Sequence, residues 1–138
     1  MTLVIRPATL GDEKETVALW RACGLVASYN DPAEDFRFAR GKENSDVLLG
    51  IDDPNKIVGA IMVGHDGHRG WVYYVGTDPA CRLQNIGRCM IGAAEQWLRE
   101  RKVRRLTLTI RPTNTQVVAF YEKIGFEITP RTVMAKWL

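Results

Sequence analysis

Cysteine, long apolar runs and blocks of like charge are all scarce in this sequence, and each scarcity argues against a class of protein. The three cysteines, Cys23, Cys81 and Cys89, show no Cys-x-x-Cys spacing, so we expect reduced thiols in a cytoplasmic protein. No apolar run reaches the roughly 20 residues of a membrane-spanning helix, and the early Arg6 does not suit a signal peptide. A net charge of +3 is too small to indicate nucleic acid as a partner. The sequence therefore predicts one domain, residues 1–138, with neither a membrane nor a nucleic acid among its partners.

One stretch, from Trp71 to Arg88, carries the clearest pattern in the chain. Its first part is rich in β-branched and aromatic residues, which predicts a strand, and a turn follows at Asp78-Pro79. Apolar residues then recur at the spacing of one helix face, which predicts a helix over Asn85–Arg101. A loop at the start of a helix directs free N–H groups and the positive end of the helix dipole at an anion. We therefore predict a site for a phosphorylated ligand at the loop Arg82–Gly87.

The rest of the chain is punctuated by cap and turn signals. Thr9 and Asp12 form a capping-box pattern before a first helix, and Asp31 followed by Pro32 begins a second helix. Asp66-Gly67 indicates a hairpin between two strands. The elements predict the order β-α-α-β-β-β-α-β-α-β-(β), with the last one or two strands in residues 126–138. A strand–helix–strand unit makes one pair of strands parallel, and the other strands are predicted to be mostly antiparallel.

Two blocks of this sequence together resemble a known family. The first is Thr77-Asp-Pro-Ala-Cys-Arg82 followed by Asn85 and Gly87, and the second is Asn114-Thr-Gln-Val-Val-Ala-Phe-Tyr-Glu-Lys-Ile-Gly-Phe126. They resemble the acyl-CoA loop and the Asn…Phe-Tyr-Glu-Lys-x-Gly-Phe block of the GCN5-related N-acetyltransferase (GNAT) family. Asn30-Asp-Pro32 and Gly67-His-Arg-Gly-Trp-Val-Tyr-Tyr74 are similar to the small bacterial YpeA-type branch of that family.

The resemblance implies a fold and an activity. The fold is a mixed α/β sheet, strongly twisted and mostly antiparallel, with helices on both faces and two central strands that splay apart around pantetheine. The activity is N-acetyl transfer from acetyl-CoA, the co-substrate, to an amine of a small molecule or protein, by direct attack on the thioester and without a metal. Many members of the family are dimers, so a homodimer is one assembly that the resemblance allows.

The resemblance also assigns roles to individual residues. Tyr121, seven residues after Asn114, corresponds to the general acid that protonates the leaving thiolate, and packing beside Phe120 is the alternative interpretation. The backbone N–H of Val75 is the expected oxyanion donor. The expected cofactor contacts come from one strand, the loop with the helix start, and one amide side chain: Val75, Thr77, Arg82, Leu83, Gln84, Asn85, Ile86, Gly87, Arg88 and Asn114.

Departures from the family pattern keep other hypotheses open. Asn85 stands where the loop usually has a glycine, which motivates a second hypothesis, a non-catalytic acyl-CoA-binding or regulatory module. The basic residues within Arg99–Arg105 motivate a third, nucleic-acid binding, although the helix dipole explains cations at a helix C-terminus equally well. His65 and His68 are interpreted as hairpin residues rather than metal ligands, because no third ligand lies near them in sequence.

The pattern does not single out a general base on the acceptor side. Helix capping explains Asp31 and Glu34, and an exposed helix face explains Asp35, so none of them is chosen. The candidates share one short segment before and within the second helix: Tyr29, Asn30, Asp31, Glu34 and Asp35. Strand alternation predicts that Tyr73 and Tyr74 point to opposite faces of the sheet.

Overall fold

The computed structural model describes residues 3–138, apart from the side chains of residues 82–84. The chain divides into two compact units, Met1–Leu108 and Thr109–Leu138. Among the helices in this part of the chain, none combines the length and the apolar character that crossing a bilayer requires.

The first unit contains all five strands and three of the helices. Two short 3₁₀ helices, Leu10–Asp12 and Pro79–Gln84, precede α1 and α3. The elements follow the predicted order and are β1 Leu3–Pro7, α1 Glu13–Ala22, α2 Pro32–Ala39, β2 Ser45–Asp52, β3 Lys56–His65, β4 Gly70–Thr77, α3 Ile86–Glu100 and β5 Leu106–Thr107.

The five strands form one sheet in the order β1-β2-β3-β4-β5. The first four strands pair antiparallel with their neighbours, and β4 pairs with β5 in parallel. Gly67, with a φ of 86°, makes the turn between β3 and β4, because this backbone conformation is accessible to glycine at little cost. The structure therefore confirms the predicted hairpin and the predicted mixed, mostly antiparallel sheet.

Local cap signals set the helix starts as the sequence predicts. The backbone N–H of Thr9 donates to Asp12 Oδ2 at 2.7 Å, which completes the capping box before α1. Asp31 Oδ1 accepts from the N–H groups of Ala33 and Glu34 at 3.1 and 3.2 Å, so it caps α2. These bonds orient α1 and α2 on one face of the sheet.

The sheet is covered on both faces. On one face, Trp20 of α1 and Phe36 of α2 are fully buried against strand residues such as Leu49. On the other face, α3 lies so close that a Cβ added at Gly59 would be 2.8 Å from Ile86 Cγ2, and one at Gly70 would be 2.5 Å from Leu98 Cδ1. Burial on both faces explains why β2 and β3 read as nearly continuous apolar runs.

The second unit contains a single helix, α4, which spans Thr115–Lys123 as predicted. Gly125 follows it with a φ of 104°, the left-handed position expected just past a helix end. The predicted strand or strands in residues 126–138 are wrong, because the structure assigns no strand there. Ile128, Val133, Met134 and Trp137 are largely exposed, so the apolar side chains of this segment are not buried as those of a half-buried strand would be.

Candidate active site

A β-bulge interrupts β4 at Tyr74. Met62 lies opposite Tyr73 and Ala60 lies opposite Gly76, so one residue of β3 faces both Tyr74 and Val75. Tyr74 has a φ of 53°, a left-handed conformation that non-glycine residues adopt rarely. An extra residue of this kind disrupts the ladder locally and leaves a backbone group of the bulged strand unpaired.

The bulge reverses the side-chain alternation of β4, so the prediction that Tyr73 and Tyr74 point to opposite faces is wrong. Tyr73 lines a groove with Phe38 of α2. Tyr74 stacks on Trp20 of α1, with ring centroids 4.3 Å apart. Both tyrosines therefore lie on the face that α1 and α2 cover, because the added residue shifts the period of the strand by one.

The edge of β4 that faces β5 is paired only where the strand begins. Gly70 lies opposite Leu106 and Trp71 lies opposite Thr107. Past Trp71, no described residue of this unit continues the ladder along that edge as far as Thr77. An open strand edge offers N–H and C=O groups to an extended ligand, which is the arrangement expected beside Val75.

Two side chains anchor the turn that follows β4. Asp78 Oδ1 accepts from the Ala80 N–H at 2.9 Å, and Asp78 Oδ2 is 3.2 Å from Lys56 Nζ. The bond from Ala80, together with Lys56, lowers the pKa of Asp78, so its carboxylate remains charged. The Thr77 carbonyl, one residue earlier, accepts a hydrogen bond from the Cys23 thiol at 3.1 Å. The C-terminal end of β4 is thus fixed by the Cys23 contact at Thr77 and by the Ala80 and Lys56 contacts at Asp78.

The loop ends at Asn85, which adopts the left-handed conformation with φ 59° and ψ 21°. Asparagine tolerates this conformation better than most residues, so it can replace the usual glycine without straining the loop. The Asn85 side chain makes no capping hydrogen bond, contrary to the usual role of asparagine at this position.

The first turn of α3 begins with N–H groups that have no partner within the helix. Its first intrahelical bond runs from Cys89 N to Asn85 O at 3.1 Å, which leaves the amides of Ile86, Gly87 and Arg88 without a helical partner. The Ile86 side chain is buried, so only its backbone is available to a ligand. Arg88 is exposed and adds charge at this point. The arrangement fits an anion at the helix N-terminus.

Part of the predicted cofactor site lies beyond what the structure describes. The side chains of Arg82, Leu83 and Gln84 are outside the described residues, although their backbone belongs to the 3₁₀ helix Pro79–Gln84. Their contacts to a phosphorylated ligand therefore stay a prediction.

The acceptor side contains a contact that the sequence did not reveal. The Tyr74 hydroxyl donates to Asp35 Oδ2 at 2.7 Å. Burial, reinforced by this bond, raises the pKa of Tyr74, so the phenol remains protonated. Asp35 is half-buried, which corrects its interpretation as a residue of an exposed helix face. Asp31 and Glu34 are exposed, and Tyr29 is 67% exposed. The only signal in the sequence was the presence of Asp35 in the unassigned segment.

The second unit, described by itself, contains two predicted site residues. Asn114 occupies the N-cap position of α4 without a side-chain capping bond. The Tyr121 ring makes edge contacts with Phe120 and Phe126 at 5.1 and 5.4 Å, and burial raises the pKa of Tyr121. The ring packs, as either interpretation of Tyr121 requires, and its hydroxyl is a protonated phenol at neutral pH.

The histidines and the basic helix end have local roles. His65 Nδ1 accepts from the Gly67 N–H at 3.1 Å inside the β3–β4 turn. Arg101 lies 3.5 Å from the centre of the Trp97 ring and donates to the Trp97 carbonyl, so it terminates α3. Within the described residues, no group of three or more potential ligands is placed to hold a metal ion.

Comparisons with known proteins agree with this geometry. The pattern of the acetyltransferase (GNAT) family matches residues 14–126. An acetyltransferase of Sodalis glossinidius is 34% identical over 117 residues, which are 85% of this chain and 82% of that protein. An acetyltransferase of Yersinia enterocolitica is 31% identical over 134 residues, which are 97% of this chain and 94% of that protein.

The fold has solved counterparts. A structure of AAC(6')-Iy in complex with the bisubstrate analogue CoA-S-monomethyl-acetylneamine superposes with a TM-score of 0.84 at 15% identity. The match covers 100% of this chain and 99% of that one. At this identity the likeness is one of fold.

Proposed function

The chain belongs to the acetyltransferase (GNAT) family, and from that premise we propose that it transfers the acetyl group of acetyl-CoA directly to an amine. The observation that carries the proposal is the open edge of β4. It begins after Trp71 and leads through a tethered turn into the amide-rich start of α3. A thioester on a long chain that ends in phosphates needs this sequence of an extended pairing edge followed by an anion site.

The residues proposed to hold acetyl-CoA divide into two groups. The backbone of Val75 and Thr77 pairs with pantetheine at the open edge, and Asn114 adds a side-chain amide. The backbone N–H groups of the loop and of the first turn of α3 bind the pyrophosphate, with charge from two arginines; these residues are Arg82, Leu83, Gln84, Asn85, Ile86, Gly87 and Arg88. The amides of Ile86, Gly87 and Arg88, which have no partner within the helix, support this assignment.

The Val75 N–H is proposed to stabilise the negative charge that develops on the thioester oxygen. The bulge at Tyr74 supports this role, because it breaks the ladder at Val75 and leaves a backbone group of the strand unpaired. One such donor contributes on the order of 3 kcal/mol to the barrier reduction in acyl transfer.

Tyr121 is proposed to protonate the departing thiolate. A phenol whose pKa is raised by burial is a weak acid, but it stays protonated across the physiological range and can donate as the thiolate forms. The ammonium first loses one proton to water, and the neutral nitrogen then bonds to the thioester carbonyl carbon. As the nitrogen loses its second proton to water and the C–S bond breaks, the thiolate takes the Tyr121 proton. The tyrosinate regains a proton from solvent, so the products are the amide and the CoA thiol and one proton is released overall.

The second candidate is a non-catalytic acyl-CoA-binding module on the same fold. Asn85 at the usual glycine position motivates it. The left-handed conformation of Asn85 removes this motive, because the loop keeps the backbone path that glycine would allow. The two candidates differ in turnover and not in binding.

Isothermal titration of acetyl-CoA and of free CoA tests the first requirement. We expect micromolar binding by the wild type and little change in Asn85→Gly, because glycine adopts the same dihedral angles. Asn85→Val is expected to weaken binding about tenfold, since the left-handed conformation costs an L-residue about 1–2 kcal/mol. Binding by Asn85→Gly without binding by the wild type would show that the loop no longer holds the cofactor and would contradict both candidates.

Compartment and assembly complete the proposal. The three cysteines, Cys23, Cys81 and Cys89, all lie within the described residues and form no disulfide bond, which supports a reducing, cytoplasmic location. Acetyl-CoA and an amine are the proposed partners. A homodimer is consistent with the family, and light scattering of the purified chain measures whether it forms.

A further inference from the structure

A carboxylate–phenol pair joins α2 to β4 on the face that α1 and α2 cover. The Tyr74 hydroxyl lies 2.7 Å from Asp35 Oδ2. Tyr74 is held on two sides, because its ring stacks on the fully buried Trp20 and its backbone is fixed in the bulge. The position of the Asp35 carboxylate is therefore set by the fold rather than by a mobile surface side chain.

The charge on Asp35 has no cationic partner among the described residues. None of the ion pairs there includes Asp35, and the nearby Arg37 of α2 pairs instead with Glu13 at 2.6 Å. Tyr74 is neutral because burial and the bond to Asp35 raise its pKa. A half-buried carboxylate whose hydrogen-bond partner is a neutral phenol gains free energy when an ammonium ion binds it, since this adds a charge-assisted hydrogen bond.

A groove of about 290 Å³ lies between α2 and the strands, and its lining includes Phe38 and Tyr73, which are near sequence neighbours of Asp35 and Tyr74. Its walls are mainly apolar, with Phe38 from α2, Met62 from β3, and Trp71 and Tyr73 from β4. The rings of Trp71 and Tyr73 are nearly parallel, with an interplanar angle of 10°. Phe38 is 83% exposed and Tyr73 is 51% exposed, so much of this aromatic surface faces solvent.

The groove and the carboxylate are adjacent. Asp35 and Phe38 are three residues apart on α2, which places their side chains as neighbours on one helix face. Tyr73 and Tyr74 are consecutive, and the bulge directs both to this face. The groove volume is near the lower end of small-molecule sites, about 300 Å³, so it suits one compact group rather than a peptide.

We propose that the acceptor is a primary amine joined by a short chain to an aromatic or other flat apolar group. Its ammonium binds Asp35, and its flat group lies in the groove against Phe38, Trp71 and Tyr73. Tyr74 is the positioning residue, because it fixes the Asp35 carboxylate. The inference rests on the proposed acetyl transfer and names its substrate class. Asp66 lies at the far end of the groove and stays charged, since the Arg69 and His68 amides lower its pKa, so the site is negative at both ends and favours cations.

Steady-state acetylation of matched amines tests the substrate class. Phenethylamine is compared with n-butylamine, glucosamine and spermidine, and CoA release is followed chromatographically. We expect phenethylamine to have the highest kcat/KM of the four. Asp35→Asn should raise its KM about tenfold, because the charged partner of the ammonium is lost while the shape remains. Phe38→Ala should raise the KM for phenethylamine and leave that for n-butylamine unchanged, because Phe38 touches only the flat group.

Glu34→Gln is the matched control, since Glu34 is an exposed carboxylate on the same helix and Asp35 is its neighbour. Tyr74→Phe keeps the stacking ring and should raise the KM for phenethylamine more than it lowers kcat. If Tyr74 had a purely structural role, the substitution would lower the amount of folded enzyme and leave that KM unchanged. A higher kcat/KM for glucosamine or spermidine, or equal effects of Glu34→Gln and Asp35→Asn, would overturn the proposal.

A binding measurement separates this inference from the proposed function. Quenching of tryptophan fluorescence by phenethylamine in the presence of CoA is measured for the wild type and for Trp71→Phe, because the chain has four tryptophans and the difference between the two proteins isolates the signal of Trp71. If acetyl-CoA does not bind, the proposed function fails; if acetyl-CoA binds but phenethylamine neither binds at millimolar concentration nor reacts, this inference alone fails. Binding that is lost in Asp35→Asn and kept in Glu34→Gln supports it.

Discussion

Gly59→Ala links the packing of α3 to the proposed cofactor loop. A Cβ at Gly59 would lie 2.8 Å from Ile86 Cγ2 and 3.0 Å from the Met90 Cγ and Sδ atoms. The Met90 side chain can move at its flexible end, but Ile86 Cγ2 is attached to Cβ of the first residue of α3, so the helix start itself must shift. Overpacking of this kind costs typically 1–3 kcal/mol.

The expected effect is therefore both a loss of stability and a loss of affinity. Replacing glycine by alanine restricts the unfolded chain and returns about 0.4–1 kcal/mol, so we expect a net destabilisation of about 1–2 kcal/mol. For a chain of this length that corresponds to a Tm lower by roughly 3–8 °C. Since Ile86 opens the anion site, the Kd for acetyl-CoA should rise as well.

Thermal unfolding followed by circular dichroism and titration of acetyl-CoA measure the two effects. Gly92→Ala is the matched control, because Gly92 lies within α3 and its added Cβ would have no atom within 4 Å. Removing a glycine from a helix interior should stabilise the protein by about 0.5–1 kcal/mol and leave the Kd unchanged. A Gly59→Ala protein with an unchanged Tm and an unchanged Kd would refute the reasoning that the β3–α3 contact positions the loop.

Two further predictions follow from titratable groups. The hydrogen bond from Arg6 at 2.7 Å lowers the pKa of Asp12 to about 2. At pH values above the ordinary aspartate pKa of roughly 4, Asp12 is charged in both the folded and the unfolded state. In that range Asp12→Asn should lower the free energy of unfolding by about 1–2 kcal/mol. Because the folded-state pKa is depressed, this difference should shrink as the pH falls from about 4 towards 2, and denaturant unfolding of both proteins at several pH values measures it. Tyr121→Phe should lower kcat about 10²-fold at neutral pH with an unchanged Kd for acetyl-CoA, since the ring is retained and only the acid is lost. A Tyr121→Phe enzyme with wild-type kcat at every pH would assign the tyrosine to packing alone.

Much of the first unit could be predicted because its signals are local. The signal for the start of α2, the Asp31 carboxylate and Pro32, is contained in a stretch of four residues. The signal for the β3–β4 hairpin is the two residues Asp66-Gly67. The apolar spacing that predicted α3 places Ile86, Met90 and Trp97 in the core. Such features depend on backbone geometry and on neighbours one turn away, which a sequence contains in full.

The acceptor side could not be predicted because it depends on contacts between distant residues. The bond between Asp35 and Tyr74 joins positions 39 residues apart and exists only because the bulge turns Tyr74 towards α2. A bulge follows from how β4 pairs with β3, and no residue type at or near Tyr74 predicts it. The groove at Phe38 was missed for the same reason, because alternation assigned its tyrosine neighbours to opposite faces.

The sequence by itself determined the family and the order of elements up to α4, and it was sufficient to propose an anion site at the start of α3, because these follow from motifs and short-range periodicity. Only the tertiary structure decided that β5 is limited to Leu106–Thr107, that residues 126–138 form no strand, and that Tyr73 and Tyr74 share a face. Strand pairing has this character in general: an extended segment becomes a strand only where another edge supplies its hydrogen bonds, and that edge belongs to a remote part of the chain.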